Sequence, residues 1–413
     1  MVDPNEDDFW SSRASLEHVR RSARARRAGP WAVLGVVLAR AIAAVEPNVQ
    51  LPPIIGGATS LNMFTALVGP SGGGKGAAEA AARDALRFVD CSGAEIATES
   101  FTLGSGEGLA RTFRPNGMGD DTERRTRALF SVAEVDTLGA LGSRTGATLM
   151  PELRKLYSGE SIGFQNAGKT TRLVVGAHEY RACLTVGVQP AKAGALISDA
   201  EGGTPQRFLW LPVGDPDAPD VKPDEPLPLR VTMPRWGASL VLLDVPDAAK
   251  AEMDAHRVAV LKGRAANPLD GHTMLTRLKV AAALMILDGR SIVSSEDWDL
   301  AGMLMRKSDR TRAGITVTLR EKGRRANRER AEKDAERAVI VEDAKQRGEL
   351  DRVRRTVINR LEKESDGMTR GDLNRALKVD IRCHLDSVLA DLASEGVVDP
   401  RPKARGGQVY VLL

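Results

Sequence analysis

At 413 residues, with 42% hydrophobic and 28% charged content, the chain can bury two or three domains' worth of core, and it is neither a disordered nor a fibrous sequence. Its net charge of +4, from 59 Lys plus Arg against 55 Asp plus Glu, excludes a polycation, so any nucleic-acid contact must use local patches. Cys91, Cys183 and Cys383 lie far apart and five histidines are scattered, which excludes a disulfide framework and a structural zinc site and suits a reducing cytosol.

The N-terminal 60 residues read as helical and then as loop. Residues 15–27 carry Arg20, Arg21, Arg24, Arg26 and Arg27. This cluster suits phosphate contact, a solvated helix face or a subunit contact. Pro30 can open a second helix over 31–45, which the segment from Pro47 to Pro53 ends. Its apolar stretch, 31–44, is interrupted by Arg40 and too short to span a bilayer, and residues 1–8 are acidic rather than signal-like. The expectation is a cytoplasmic protein with no membrane partner.

Residues 61–215 alternate strand-like segments (Met63–Val68, 128–133, 182–188) with helix-like ones (75–89, 108–113, 150–157). Such alternation predicts an α/β domain with a largely parallel sheet. Seven prolines between positions 212 and 234 make an extended connector. Residues 246–317 look helical, with Leu275, Leu278, Ala282 and Met285 on one face. Residues 319–347 alternate in charge and read as an exposed helix or helical linker. Helices at 352–363, 369–377 and 381–396, followed by strands at 397–400 and 408–412, describe a winged helix. The divisions are therefore 1–60, 61–235, 236–318, 319–350 and 351–413.

Two segments approach the phosphate-loop pattern G-x-x-x-x-G-K-[ST]. The mechanism needs a strand before the loop and a helix after it, so that backbone N–H groups and the helix N-terminus converge on phosphate oxygens. Gly69-Pro70-Ser71-Gly72-Gly73-Gly74-Lys75-Gly76 has that context but lacks the final hydroxyl. Gly163-Phe164-Gln165-Asn166-Ala167-Gly168-Lys169-Thr170 has the letters, but strand-like residues follow it. Context carries the mechanism, so the first is the expected ATP site. The second is read as a hairpin tip whose Lys169 and Arg172 suit a DNA backbone. Without a hydroxyl at 76, Mg2+ must be held through water and acidic side chains or by Ser71.

Hydrolysis also needs a carboxylate at a second strand end. The run 128–136 delivers Glu134, to orient water, and Asp136, which either assists through metal-bound water or caps the next helix. In an extended segment the two would share a face. Ala133 stands where an Asp is usual before the Glu.

At this point the sequence resembles the P-loop ATPase and helicase-type replication proteins of prophages, plasmids and mobile elements, which are related to AAA+ motors of the superfamily 3 and MCM type. The likeness runs from about residue 9 to 314. Beyond the loop it rests on Gly104-Ser105-Gly106-Glu107-Gly108-Leu109, Val188-Gln189-Pro190, the run 203–209 (Gly-Thr-Pro-Gln-Arg-Phe-Leu), the run 274–281 and the run 293–298. Residues 104–109 also read simply as a turn into a helix with Ser105 as N-cap. The resemblance implies a P-loop NTPase (AAA+-like) core with an N-terminal helical segment, a helical lid and a C-terminal winged helix. It implies a γ-phosphate sensor at Gln189, an arginine finger at Arg207 reaching a neighbouring subunit, a second sensor at Arg277, and Lys169 on a channel-lining hairpin. Arg207 and Arg277 are also compatible with structural ion pairs.

In the winged helix, the helix at 381–396 would begin with Arg382 and His384, and the wing carries Arg401, Lys403 and Arg405. These suit DNA phosphates. Asp386, Asp391 and Glu395 would repel them, which leaves docking on protein as the alternative. The expected function is an ATP-dependent DNA translocase or helicase acting in the replication of a phage or mobile element, as a homo-oligomeric ring, a hexamer, with any primase or polymerase a separate protein. The alternatives are an ATP-switched initiator or loader with little hydrolysis, and a scaffold with a vestigial nucleotide site.

Overall fold

Three helices open the chain: α1 (Pro4–Ser11), α2 (Ala14–Ala25) and α3 (Pro30–Ala43). Pro30 sits at the first position of α3, where its missing N–H costs nothing. All but one residue of α3 are buried, Arg40 being the exception, so the helix is apolar all round and belongs inside the protein. It lies on the central sheet so closely that a Cβ on Gly35 would come within 2.7 Å of Leu211 and Thr65 side-chain atoms. The computed structural model describes residues 4–114, 124–142, 148–164, 173–199, 202–264, 272–403 and 406–413.

Next come β1 (Val49–Leu51), β2 (Thr59–Ser60), β3 (Met63–Val68), α4 (Lys75–Ala85), β4 (Leu86–Val89), β5 (Ser100–Thr102), α5 (Gly106–Phe113), β6 (Arg127–Val132), α6 (Val135–Gly142) and α7 (Leu149–Ser158). Then follow β7 (Ile162–Phe164), β8 (Leu173–Val175), β9 (Arg181–Val188), α8 (Gly194–Ile197), β10 (Phe208–Pro212), β11 (Leu229–Thr232) and β12 (Val241–Leu242). The protein is thus mixed α/β, with a five-stranded sheet in the order β10-β3-β9-β6-β5 whose pairs are all parallel. β3 is where the strand order switches: the chain leaves it for the far side of the sheet and returns through β10 on its other flank. In open parallel sheets such a point, outside the carboxyl strand ends, is where ligands bind.

The helix expected over 75–89 stops at Ala85. Leu86–Val89 instead forms β4, paired in parallel with β11 from within the proline-rich connector. Branched and aromatic residues with a partner strand available outweigh the continuing helical pattern. The same connector engages three arginines of the cluster at 15–27, while Arg20 pairs with Asp7. Arg24 pairs with Asp215 at 2.8 Å, Arg26 with Glu225 at 2.5 Å, and Arg27 donates to the carbonyls of Pro219 and Asp220. These arginines hold the connector rather than offering themselves to phosphates.

Helices α9 (Asp247–Leu261), α10 (Thr273–Leu287) and the start of α11 (Ser295–Leu361) complete the first compact unit, Met1–Lys322. α10 packs on α3 in the same core as the N-terminal helices, so segments 1–60, 61–235 and 236–318 share one interior. Asp297, whose side chain is fully buried, receives hydrogen bonds from Arg13, Arg290 and Ser294 and ties α11 to the start of α2.

The second unit, Gly323–Leu413, contains the remainder of α11, β13 (Met368–Thr369), α12 (Arg370–Ala376), α13 (Leu385–Ser394), β14 (Val398–Pro402) and β15 (Gln408–Leu412). Its strands pair antiparallel in the order β13-β15-β14, around a core that includes Val357, Leu373, Leu389 and Val398. Residues 320–347 of α11 are exposed on every side, with pairs such as Arg325–Glu329 at 3.1 Å. The helix expected from 381 begins only at Leu385, because Val379–His384 forms a 3-10 turn. No described helix is long and apolar enough to cross a membrane.

Candidate functional site

β3 ends at Val68 and delivers the glycine-rich loop, and α4 starts at Lys75. Gly72 (φ 72°) and Gly74 (φ 93°) occupy the left-handed region, where a side chain would be strained, and this lets the backbone turn sharply into the helix. The loop is braced from both sides. Gly69 donates its N–H to Val188 O (3.0 Å), Gly73 donates to Pro70 O (3.1 Å), and a Cβ on Gly69 would collide with Val213. The first N–H groups of α4, at Lys75, Gly76 and Ala77, have no intrahelical acceptor, as at any helix start. The Lys75 ammonium donates to the carbonyls of Pro70 (2.8 Å) and Gly69 (3.3 Å).

The stem of Lys75 runs past β9. A Cβ on Gly187 would lie 3.2 Å from Lys75 Cδ and 2.1 Å from Ala133 O. Only glycine therefore lets the lysine and the end of β6 meet over β9. Glu134 follows Ala133, and Gln189 follows the end of β9. The Gln189 side-chain amide donates to Glu134 Oε1 at 3.2 Å. Lys75, Glu134 and Gln189, predicted from separate stretches of sequence, thus stand at the carboxyl ends of three adjacent strands.

Asp136 is placed differently from the expectation that it shares an extended face with Glu134. β6 ends at Val132, and Asp136 lies in the first turn of α6. There it pairs with Lys192 at 2.5 Å, and Lys192 Nζ is also 3.9 Å from Glu134 Oε2. Its hydrogen bond to Asp136, with the charge of that carboxylate, raises the Lys192 pKa above the ordinary lysine value. Sequence reasoning passed over Lys192; its one signal was a cation three residues beyond Gln189. Glu79, one turn along α4 from Lys75, is committed to the sheet, accepting from Ser131 (2.9 Å) and Thr185 (3.0 Å).

Magnesium does not fit this donor set. Gly76 and Ala133 offer no side-chain oxygen, Glu134 and Asp136 are engaged by Gln189 and Lys192, and no cluster of three metal-ligating side chains occurs among the described residues. Ser71 is exposed on the loop and brings no second oxygen with it.

Two arginines stand elsewhere. Arg207 ends a 3-10 turn just before β10, and Phe208 is in register with Phe64, so Arg207 lies level with the start of β3. At ~3.3 Å per residue this is roughly 20 Å from the loop. Its side chain is buried, donates to Gly202 O (2.9 Å) and lies over the Tyr157 ring, and burial lowers its pKa. Arg277 bonds Glu252 (2.8 Å) and the Trp298 carbonyl and stacks 3.8 Å from the Trp298 ring centroid. Within this one chain the contacts of both arginines lie away from residues 69–76.

Lys169 and Arg172 lie outside the described residues, as does Arg405; β7 and β8, which flank 165–172, pair antiparallel. Ser105 caps α5, accepting from Gly108 N at 3.2 Å. In the second unit Arg382 is off the helix, donating to Leu377 O (3.1 Å), and His384 faces Glu349. Arg401 pairs with Asp399, while Lys403 is exposed. The exposed positions of α13 (Asp386, Ser387, Ala390, Asp391, Ser394) include no base.

No protein-family model matches the chain, and no curated protein matches its sequence.

Proposed function

We propose that the protein is a P-loop, AAA+-like ATPase that binds ATP at residues 69–76 and acts on DNA in the replication of a phage or mobile element. The observation that carries the nucleotide reading is the convergence of Lys75, Glu134 and Gln189 at the carboxyl ends of β3, β6 and β9. The backbone N–H groups at the start of α4 would receive phosphate oxygens, and Lys75 would exchange two loop carbonyls for the outer phosphates. Glu134, held by Gln189, would orient a water and take its proton as the oxygen attacks the γ-phosphorus and the bond to the β-phosphate oxygen breaks. The work on DNA rests on the resemblance and on the charged C-terminal unit, read as a winged helix.

A second reading, an ATP-switched initiator or loader with slow turnover, is favoured by the pairing of Lys192 with Asp136 and Glu134, which competes with the proposed base. The base-free exposed face of α13 fits docking on protein better than insertion into a DNA groove.

Nucleotide binding and turnover measured with and without DNA test both readings. Lys75→Ala should abolish binding, and Glu134→Gln should retain binding and lose turnover. Turnover that rises with DNA, together with strand separation, marks the motor; ATP-dependent DNA binding without unwinding marks the switch. ATP binding unaffected by Lys75→Ala would end the nucleotide reading.

A further inference from the structure

The donor set around the loop departs from a magnesium-nucleotide site at the two positions where a direct ligand would stand, Gly76 and Ala133. The carboxylates that follow β6, Glu134 and Asp136, are instead faced by the Lys192 ammonium. We propose that this site binds the triphosphate without a divalent cation, with Lys192 supplying a second positive charge in addition to Lys75. The inference rests on the nucleotide reading above and specifies its electrostatics.

Three observations support it. Lys192 closes the 3-10 turn Pro190–Lys192 directly after β9, the strand against which the Lys75 stem lies. Its ammonium bonds Asp136 at 2.5 Å and lies 3.9 Å from Glu134, so it offsets part of the negative charge that would otherwise repel a polyphosphate. Its side chain is 42% exposed, and a lysine head on a flexible stem can turn from a carboxylate to a phosphate oxygen. Gly76, by contrast, has no atom within 4 Å of where a Cβ would stand and has a backbone that other residues adopt, so serine is sterically allowed there.

Titration calorimetry of the full chain with ATP, in magnesium chloride and in EDTA, tests the idea. The wild-type dissociation constants should agree within about fivefold, and Lys192→Ala should weaken binding in EDTA about tenfold without lowering the melting temperature. Gly76→Ser should tighten binding in magnesium more than about fivefold over EDTA. Wild-type binding more than fivefold tighter in magnesium would overturn the proposal while leaving the nucleotide reading intact. Unchanged affinity in Lys192→Ala, or no gain of magnesium dependence in Gly76→Ser, would overturn it as well. Absence of ATP binding in both buffers would remove the nucleotide reading itself.

Discussion

Lys279 offers a test of the fold's interior that does not depend on any functional reading. Its side chain is fully buried on α10, with Nζ donating to Asn62 O (2.8 Å) and Tyr157 O (2.6 Å) and lying 3.4 Å from the Tyr157 ring centroid. Arg181 and Arg207 are buried nearby, and none of the three forms a salt bridge among the described residues. Burial first, then the Arg181 guanidinium, holds the Lys279 ammonium well below its ordinary 10.5. Between the folded and unfolded pKa the unfolded chain binds one more proton, so stability rises with pH across that window, by about 1.4 kcal/mol per pH unit. Lys279→Met should remove this slope. The absolute change also contains the two carbonyls left without a donor, at about 1–3 kcal/mol each, so the pH dependence isolates the titration. Urea unfolding of both proteins at a series of pH values from neutral upward measures it. Parallel slopes would mean that Lys279 keeps its proton on folding and would refute the argument.

Gly187→Val should distort the meeting of β6, β9 and Lys75, since even a Cβ would stand 2.1 Å from Ala133 O. The expected loss is about 1–3 kcal/mol of stability together with ATP binding, read by thermal unfolding and calorimetry. Asp297→Asn breaks a buried ion-pair network and should cost about 3–5 kcal/mol near neutral pH. Burial alone would raise this carboxyl, but hydrogen bonds from Arg290, Ser294 and Arg13 outweigh it and hold the pKa low. The stabilisation is present above the unfolded pKa and lost as pH falls through the folded one, so the cost of Asp297→Asn should shrink in acid, as unfolding curves would record. Cys183 is buried, which pushes its thiol up to about 11, while Cys91 and Cys383 are exposed. Mass spectrometry after brief alkylation should show Cys91 and Cys383 modified and Cys183 only after unfolding.

The sequence by itself determined the features encoded in short windows. Met63–Val68 was legible because its apolar residues run unbroken up to a glycine cluster, and the loop from Gly69 was legible because left-handed turns need glycine. The exposed charged helix over 320–347 was equally local. What lay beyond reach was decided by residues distant in the chain. Leu86–Val89 became a strand only because Leu229–Thr232 pairs with it, and Arg24 and Arg27 found the connector far along the chain. The strand order β10-β3-β9-β6-β5 then set which strand ends are neighbours. It gathered Glu134, Gln189 and Lys192 beside Lys75, and placed Arg207 at the other end of the sheet. A strand shows its apolar pattern in its own residues, but its partners are selected by the burial and hydrogen bonding of the whole sheet, and only the tertiary structure holds that information.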